Sequence, residues 1–191
     1  MLNRRQFLSG LGVSSLGHGA FASAKSTPIL NQLEKLDANI LFMRHALAPG
    51  FGDPDTFDVT RCSTQRNLDS RGRAQAIALG QAFKKSGVTF DAVFSSQWCR
   101  CKETALIAFN KFENKNFLNS FFSSKFAKNK DLQIKNLRKF IKDFDGDENL
   151  IFVTHYVVIS ELLNYSSSSG EIVISDQNYN IIGNLAISFN E

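Results

Sequence analysis

Three short apolar runs constrain this chain more than any other feature: Asn39-Ile40-Leu41-Phe42-Met43, Phe90-Asp91-Ala92-Val93-Phe94 and Asn149-Leu150-Ile151-Phe152-Val153-Thr154. Apolar runs of this length, without strict alternation, suit strands buried on both faces, as in a parallel sheet. Each run leads directly into polar chemistry. The first ends at Arg44-His45, the second at Ser95-Ser96 with Arg100 a few residues on, and the third at His155.

The segments between the runs read as helices and loops. Residues 70–86 carry Ala74, Ile77, Ala78, Leu79, Ala82 and Phe83 at helical spacing, and Gly87 stops the pattern. Residues 98–109 read as a second helix. A polar helix follows, with apolar positions at Leu132, Ile134, Leu137, Phe140, Ile141 and Phe144, and a further helix begins at Val157. Phe117-Leu118 reads as a weaker extended segment. Pro49, Gly50, Gly52 and Pro54 mark a loop after His45, Asp145-Gly146-Asp147 a turn, and Ser166–Gly170 another loop. Two last strands, 171–175 and 181–189, flank the turn signal Asp176-Gln177-Asn178. Strands alternating with helices predict an α/β fold: a three-layer sandwich whose central sheet is mostly parallel and covered on both faces.

Residues 1–24 read as a signal peptide. Arg4-Arg5 precede Phe7-Leu8, a weakly apolar run continues to Phe21, and Ala22-Ser23-Ala24 offers small residues at the cleavage positions. The run is too short to span a bilayer. It resembles a twin-arginine signal, which engages an export machinery that carries folded proteins out of the bacterial cytoplasm. A cytoplasmic protein with a frayed amphipathic start and an uncleaved N-terminal anchor are the alternatives. The expected organisation is signal peptide 1–24, linker 25–38 and one domain over 39–191, with a periplasmic or exported location and no membrane span after cleavage. Loss of Arg4 and Arg5 leaves 20 basic against 18 acidic residues, a net charge of +2. That balance gives no basis for nucleic-acid binding, and the Lys residues between 111 and 142 read as solvated helix faces. The 18 Phe residues read as core filler. Cys62 in an oxidising compartment has two candidate partners, Cys99 and Cys101, with free thiols as the third reading. The C-x-C spacing lacks a second ligand pair, so no metal site is expected.

Open α/β sheets bind ligands at the carboxyl ends of their strands. Arg44, His45, Arg100 and His155 all fall at such ends. Arginine forks match phosphoryl oxygens bidentately, and positioned cations stabilise the charge on a transferring phosphoryl group. Neighbouring positive charge disfavours imidazolium, and a neutral His in an anion pocket is a competent nucleophile toward phosphorus.

Four ordered motifs resemble the histidine phosphatase superfamily, which includes the cofactor-dependent phosphoglycerate mutases. Arg44-His45-Ala46 is similar to its R-H-G, with Ala in the Gly position. Leu68-Asp69-Ser70-Arg71-Gly72-Arg73-Ala74-Gln75-Ala76 resembles L-T-x-x-G-x-x-Q-A. Ser95-Ser96-Gln97-Trp98-Cys99-Arg100-Cys101-Lys102-Glu103-Thr104-Ala105 resembles S-S-P-x-x-R-x-x-x-T-A, with Gln97 for Pro. Val153-Thr154-His155-Tyr156 resembles the second His motif, where Gly usually follows. The resemblance implies a phosphoglycerate mutase-like fold and His45 as the nucleophile that forms a phosphohistidine. It further implies Arg44, Arg100 and His155 as binders of the phosphoryl group of a small phosphorylated substrate, with no metal or organic cofactor.

The family's general acid, usually a Glu after the second helix, has no clear counterpart. Glu113 is the one carboxylate in the stretch 112–122, and Asp53 and Asp55 in the loop after His45 are rival candidates. Phosphohistidine phosphatases of the family manage without an evident acid, because a good leaving group needs less protonation. The chain also lacks the larger insertions by which mutases shield the phosphoenzyme, which favours hydrolysis of a phosphate monoester. A phosphohistidine or phosphoprotein phosphatase, and a non-catalytic phosphate-binding module, are the competing functions. For the export reading, replacing Arg4 and Arg5 by Lys is expected to retain the protein in the cytoplasm. Undiminished recovery in the periplasmic fraction would refute it.

Overall fold

The computed structural model describes residues 40–90, 92–144 and 149–187. The expected signal peptide, the linker, the 145–147 turn and residues 188–189 of the expected last strand lie outside them, and that strand ends at Leu185, short of the expected 189. Among the described residues, strands β1 (Ile40–Arg44), β2 (Ala92–Ser95), β3 (Glu113–Asn114), β4 (Leu150–Thr154), β5 (Ile172–Ser175) and β6 (Ile181–Leu185) form one sheet in the order β3-β2-β4-β1-β5-β6. The pairs β3/β2, β2/β4 and β4/β1 are parallel, whereas β5 is antiparallel to both β1 and β6. Only β5 therefore runs against the rest, which bears out the mostly parallel sheet.

The helices are α1 (Ser70–Ser86), α2 (Cys99–Phe109), α3 (Ser124–Ala127), α4 (Lys130–Lys142) and α5 (Tyr156–Leu163). Period-two alternation along the strands divides the core. Leu41, Met43, Val93, Ile151, Val153, Ile172 and Ile174 face α1 and α2, packing on Leu79, Ala82, Phe83, Cys101 and Ala105. Ile40, Phe42, Phe94, Leu150, Phe152 and Val173 face α4 and α5, packing on Ile134, Leu137, Ile141, Val158, Ile159 and Leu162. The strands are thus apolar on both faces because both faces are covered. On the second face the rings of Phe42, Phe152 and Phe94 stack across β1, β4 and β2 at 5.4 and 5.5 Å.

Two expectations shift. Phe117 and Leu118 are buried in a 3-10 turn (Asn116–Leu118) rather than extended, and the short strand there is β3, just before them. Burial of both side chains against the core requires them to leave the strand direction, and the turn supplies that. In α4, Ile134, Leu137 and Ile141 form the buried stripe, while Leu132 is exposed. The lysines at 135, 139 and 142 are solvated as expected, but Lys115 lies half-buried with Nζ 5.2 Å from the ring centroids of both Phe94 and Phe140.

The register sets the site. Arg44 lies opposite Thr154, and Ser95 opposite Val153, so β1, β4 and β2 finish within a residue of one another. His45 N–H donates to Thr154 O and Ser96 N–H to Val153 O, continuing the ladder one residue past the strands. The backbone after His45 is then fixed from several sides. Ala46 N–H donates to Thr104 Oγ1 at 3.0 Å, and Leu47 N–H to Gln75 Oε1 at 2.9 Å. Gln75 Nε2 in turn donates to Ser169 O at 2.8 Å. Asp69 caps α1 by accepting from Gly72 N–H at 2.9 Å. Gly72 is required by close approach: a Cβ there would sit 1.9 Å from Leu47 O. Ala46 is fully buried and does not have positive φ, so the position where the family has Gly accepts a methyl group.

Gly72→Ala is accordingly expected to destabilise by ~2 kcal/mol or more, the cost of overpacking against backbone that cannot yield. Gly87, the left-handed C-cap of α1 at φ 75° with open space around it, should cost only about 1 kcal/mol on the same change. Urea denaturation of the two variants checks the ranking. Equal losses would mean that the Leu47 loop moves freely away from α1.

Candidate active site

The strand ends and the loops above them enclose a cavity of about 450 Å³. Arg44, His45, Arg100 and His155 all line it, so the residues chosen from the three strand ends meet in one place. His45, Arg100 and His155 are only 2%, 3% and 2% exposed, which leaves the cavity as their route to any ligand.

Arg100, in the first turn of α2, organises the centre. Its Nε donates to His45 Nε2 at 3.2 Å, and Nη2 lies 3.5 Å from His155 Nδ1. One edge of the guanidinium thus faces both histidines. The other edge grips Asp53, with Nη1–Oδ1 at 2.7 Å and Nη2–Oδ2 at 3.1 Å. Asp53 also accepts from Trp98 Nε1 at 3.0 Å and from Arg66 N–H at 3.1 Å. Burial pushes the Asp53 carboxyl upward, but these bonds and the Arg100 charge outweigh it and hold the group below the usual carboxylate range.

Tautomers follow from the partners. His45 Nδ1 lies 2.8 Å from Ala46 O, which can only accept, so the proton sits on Nδ1 and Nε2 keeps its lone pair. His155 Nδ1 faces a guanidinium that can only donate, so its proton is on Nε2, directed at Ser96 Oγ 2.9 Å away. Ser96 Oγ passes its own proton to Asn119 Oδ1 at 3.2 Å. Burial first, and the Arg100 charge second, push both histidines well below their ordinary value, so both are neutral.

Two further arginines surround this centre. Arg44 Nη1 donates to Ser167 O at 2.7 Å, its guanidinium lies 5.2 Å from the Tyr156 ring centroid, and its Nε is buried without a partner. Arg66 is a cavity-lining cation that sequence reasoning misses. It lines the cavity, donating to the carbonyls of Gly52, at 2.9 Å, and of Ala48 and Gly50. No local motif announces it; its position four residues after Cys62 and two before Leu68 is the only sequence cue. Cys62 is bonded to Cys99, which selects between the two partners the sequence left open and overturns the free-thiol reading for this pair; Cys101 stays a buried thiol. Burial raises the Cys101 thiol to about 12, so it is inert although its Sγ lies 3.5 Å from His155 Nε2.

The candidate acids separate. Asp53 lies in the cavity, but all its hydrogen bonds are accepted ones, and it is a carboxylate that orients Arg100 rather than a proton donor. Asp55 lines the cavity, exposed, with no hydrogen bond or ion pair to fix it among the described residues. Glu113 is a correction: it sits exposed on edge strand β3, paired with Lys115 Nζ at 2.6 Å, and is not part of the cavity wall. The Phe-as-core reading also fails at the cavity mouth, where Phe51 and Phe122 are exposed. Among the described residues no group of three His, Cys, Asp or Glu is arranged to hold a metal ion, and no helix is long and apolar enough to cross a membrane.

Residues 40–117 match the histidine phosphatase superfamily, branch 1. The matched segment holds Arg44, His45 and Arg100 and stops before His155, which the fold adds from β4. No curated protein sequence matches the chain. In fold it is similar to the protein designated phosphohistidine phosphatase SixA from Agrobacterium tumefaciens, at 16% identity and a TM-score of 0.56, covering 79% of this chain and 99% of that one. It is similar to phosphoglycerate mutase from Thermus thermophilus, at 15% identity and a TM-score of 0.53, covering 78% and 99%. These likenesses establish the phosphoglycerate mutase-like α/β fold.

The neutral histidines make a prediction about stability. Both have folded-state values below the 6.5 of a free histidine, so under pH 6.5 the unfolded chain binds protons that the folded one refuses. Their contribution is present above pH 6.5 and is lost as pH falls. The expected slope is up to ~1.4 kcal/mol per pH unit for each histidine. Urea midpoints at pH 7.5, 6 and 5 check this, and His155→Asn should reduce the slope by about half. A flat profile from 7.5 to 5 would refute it.

Proposed function

We propose that this chain is a phosphatase that hydrolyses phosphate monoesters through a phosphohistidine on His45 and works outside the cytoplasm. The observation that carries the reading is the aim of His45 Nε2. Its lone pair points at the inward edge of Arg100 while Nδ1–H is tied to Ala46 O. A phosphoryl group placed at that edge meets a nucleophile and an arginine fork together. Arg44 and Arg66 line the same cavity and add two more guanidiniums around it.

In the first step His45 Nε2 attacks phosphorus as the ester P–O bond breaks, and the leaving oxygen keeps the electron pair. Arg100 Nε transfers its hydrogen bond from His45 to a phosphoryl oxygen. Phosphorylation makes the ring cationic, and the Nδ1–H to Ala46 O bond stabilises that charge. Water then attacks phosphorus, the P–N bond breaks and His45 returns to its neutral form. Over the cycle one water supplies the hydroxyl of inorganic phosphate and the proton of the released alcohol. The arginines, and His155 once its Nδ1 has taken up a proton with the arriving phosphate, hold the equatorial oxygens.

The superfamily match over residues 40–117 supports phosphoryl chemistry, and the similarity in fold to a protein designated a phosphohistidine phosphatase agrees with it. The twin-arginine pattern supports export, as does the Cys62–Cys99 disulfide, since such bonds persist in oxidising compartments.

The test is trapping. With a radiolabelled small phosphate ester and an alkaline quench, which preserves phosphohistidine, label is expected on the wild-type chain and not on His45→Ala. Arg100→Ala should lower kcat/KM roughly 10²-fold or more, the effect of losing a preorganised donor. No label and no turnover across a broad ester panel, with phosphate binding intact, would instead establish a non-catalytic binding module.

A further inference from the structure

Resting on that phosphatase reading, we infer that the preferred substrates are aryl phosphates, in which the phosphate is carried on a phenol-type oxygen. Two independent features of the cavity converge on this class.

The first is the composition of its walls. On one side, Phe51 meets Phe122 edge-to-face at 5.0 Å, and Phe122 meets Tyr156 at 5.8 Å. On the other, Phe57 stacks on Trp98 at 4.8 Å, and Phe126 stands edge-on to both, at 5.5 and 5.6 Å. All six rings line the cavity that holds His45. Phe51 is 88% exposed, on a loop between two positive-φ glycines, Gly50 and Gly52. An apolar ring held in water contributes nothing to folding by burial. Placed at the mouth of a phosphate site, its open face gains contact when a ligand arrives. Aromatic rings favour aromatic partners through edge-to-face and offset contacts beyond their shared apolar area.

The second feature is the leaving-group side. Asp53, the carboxylate nearest the centre, accepts from Arg100, Trp98 and Arg66 and has no proton to give. Asp55 is exposed and unfixed. An alkoxide expelled from phosphorus needs a poised acid. A phenolate does not, because phenols ionise near pH 10, far below aliphatic alcohols. The P–O bond to an aryl group can therefore break with the electron pair passing to the phenolate, which takes its proton from solvent. A planar leaving group that stacks in the mouth and departs unassisted satisfies both features.

Three phosphate esters separate the two contributions. Phenyl phosphate has the ring and the good leaving group, benzyl phosphate has the ring on an alkoxide, and cyclohexylmethyl phosphate has neither. Expected kcat/KM values fall in that order, with phenyl at least ~10-fold above benzyl and benzyl a few-fold above cyclohexylmethyl. Phe51→Ala and Phe122→Ala should each raise KM for the two aromatic esters roughly 2- to 10-fold, and by a larger factor than for cyclohexylmethyl phosphate. Turnover of all three esters at similar kcat/KM, or aromatic KM values unmoved in both variants, would overturn the aryl preference and leave the phosphatase reading standing. No turnover of any ester and no phosphoenzyme would overturn the phosphatase reading, and this one with it.

Discussion

The guanidinium of Arg100 has two edges, and the site depends on their being committed to different partners. The outer edge is fixed by both oxygens of Asp53; the inner edge is thereby turned toward His45 and His155. A bidentate pair is the appropriate device, because a planar fork held at two points cannot rotate about its own axis. At 3% exposure Arg100 could not be left unpaired: an uncompensated buried charge is among the costlier defects a fold can carry. Asp53 therefore does two things at once. It neutralises the arginine in the folded chain, and it decides where the remaining N–H groups point.

The same pairing explains why the histidines can be neutral and still serve an anion. Burial alone depresses both, and Arg100 adds to it. Neutrality leaves His45 with a lone pair at Nε2, which a protonated ring would lack. A phosphoryl dianion offsets the positive charge of the pocket, and a bare Nδ1 on His155 is well placed to take up a proton as that anion arrives. The site is thus matched to a ligand that brings negative charge, rather than to its own resting state.

Much of this is legible in the sequence because it is local. The strand runs are apolar on both faces, and their ends carry the charged groups; register then brings Arg44, Ser95 and Thr154 to one edge of the sheet. Motif residues away from the chemistry are legible as a pattern but not as physics. Gly72 admits Leu47 O, Gln75 ties Leu47 N–H to Ser169 O, and Thr104 holds Ala46 N–H. What cannot be read is decided by the path of the 47–66 loop, which has little regular structure to predict it. That path places Arg66 in the pocket and gives Asp53 to Arg100 instead of to a leaving group. Phe51 and Phe122 escape a composition-based reading for a related reason: a ring lining a cavity and a ring filling a core have the same composition and differ only in what lies opposite. The choice between Cys99 and Cys101 turns on helix geometry. Two residues apart in α2, they point to different sides, Cys99 toward Cys62 and Cys101 into the core beneath β4.

That loop also shows how a segment with few helical or strand bonds can hold the groups of the cavity still. Gln65 Oε1 accepts from Cys99 N–H at 2.9 Å, and its Nε2 donates to the carbonyls of Asp58 and Val59. Arg66 O accepts from Arg100 Nη1, and Thr64, Thr60 and Arg61 all bond to Asp58. These contacts hold the loop against α2 around the Cys62–Cys99 disulfide, whose Cα atoms are 5.6 Å apart. The disulfide then closes a loop of sequence separation 37, for which chain entropy contributes about 4 kcal/mol. The disulfide and the hydrogen bonds thus fix the same arrangement of loop and helix. Because Cys99 immediately precedes Arg100, the disulfide acts one residue from the group on which the site turns.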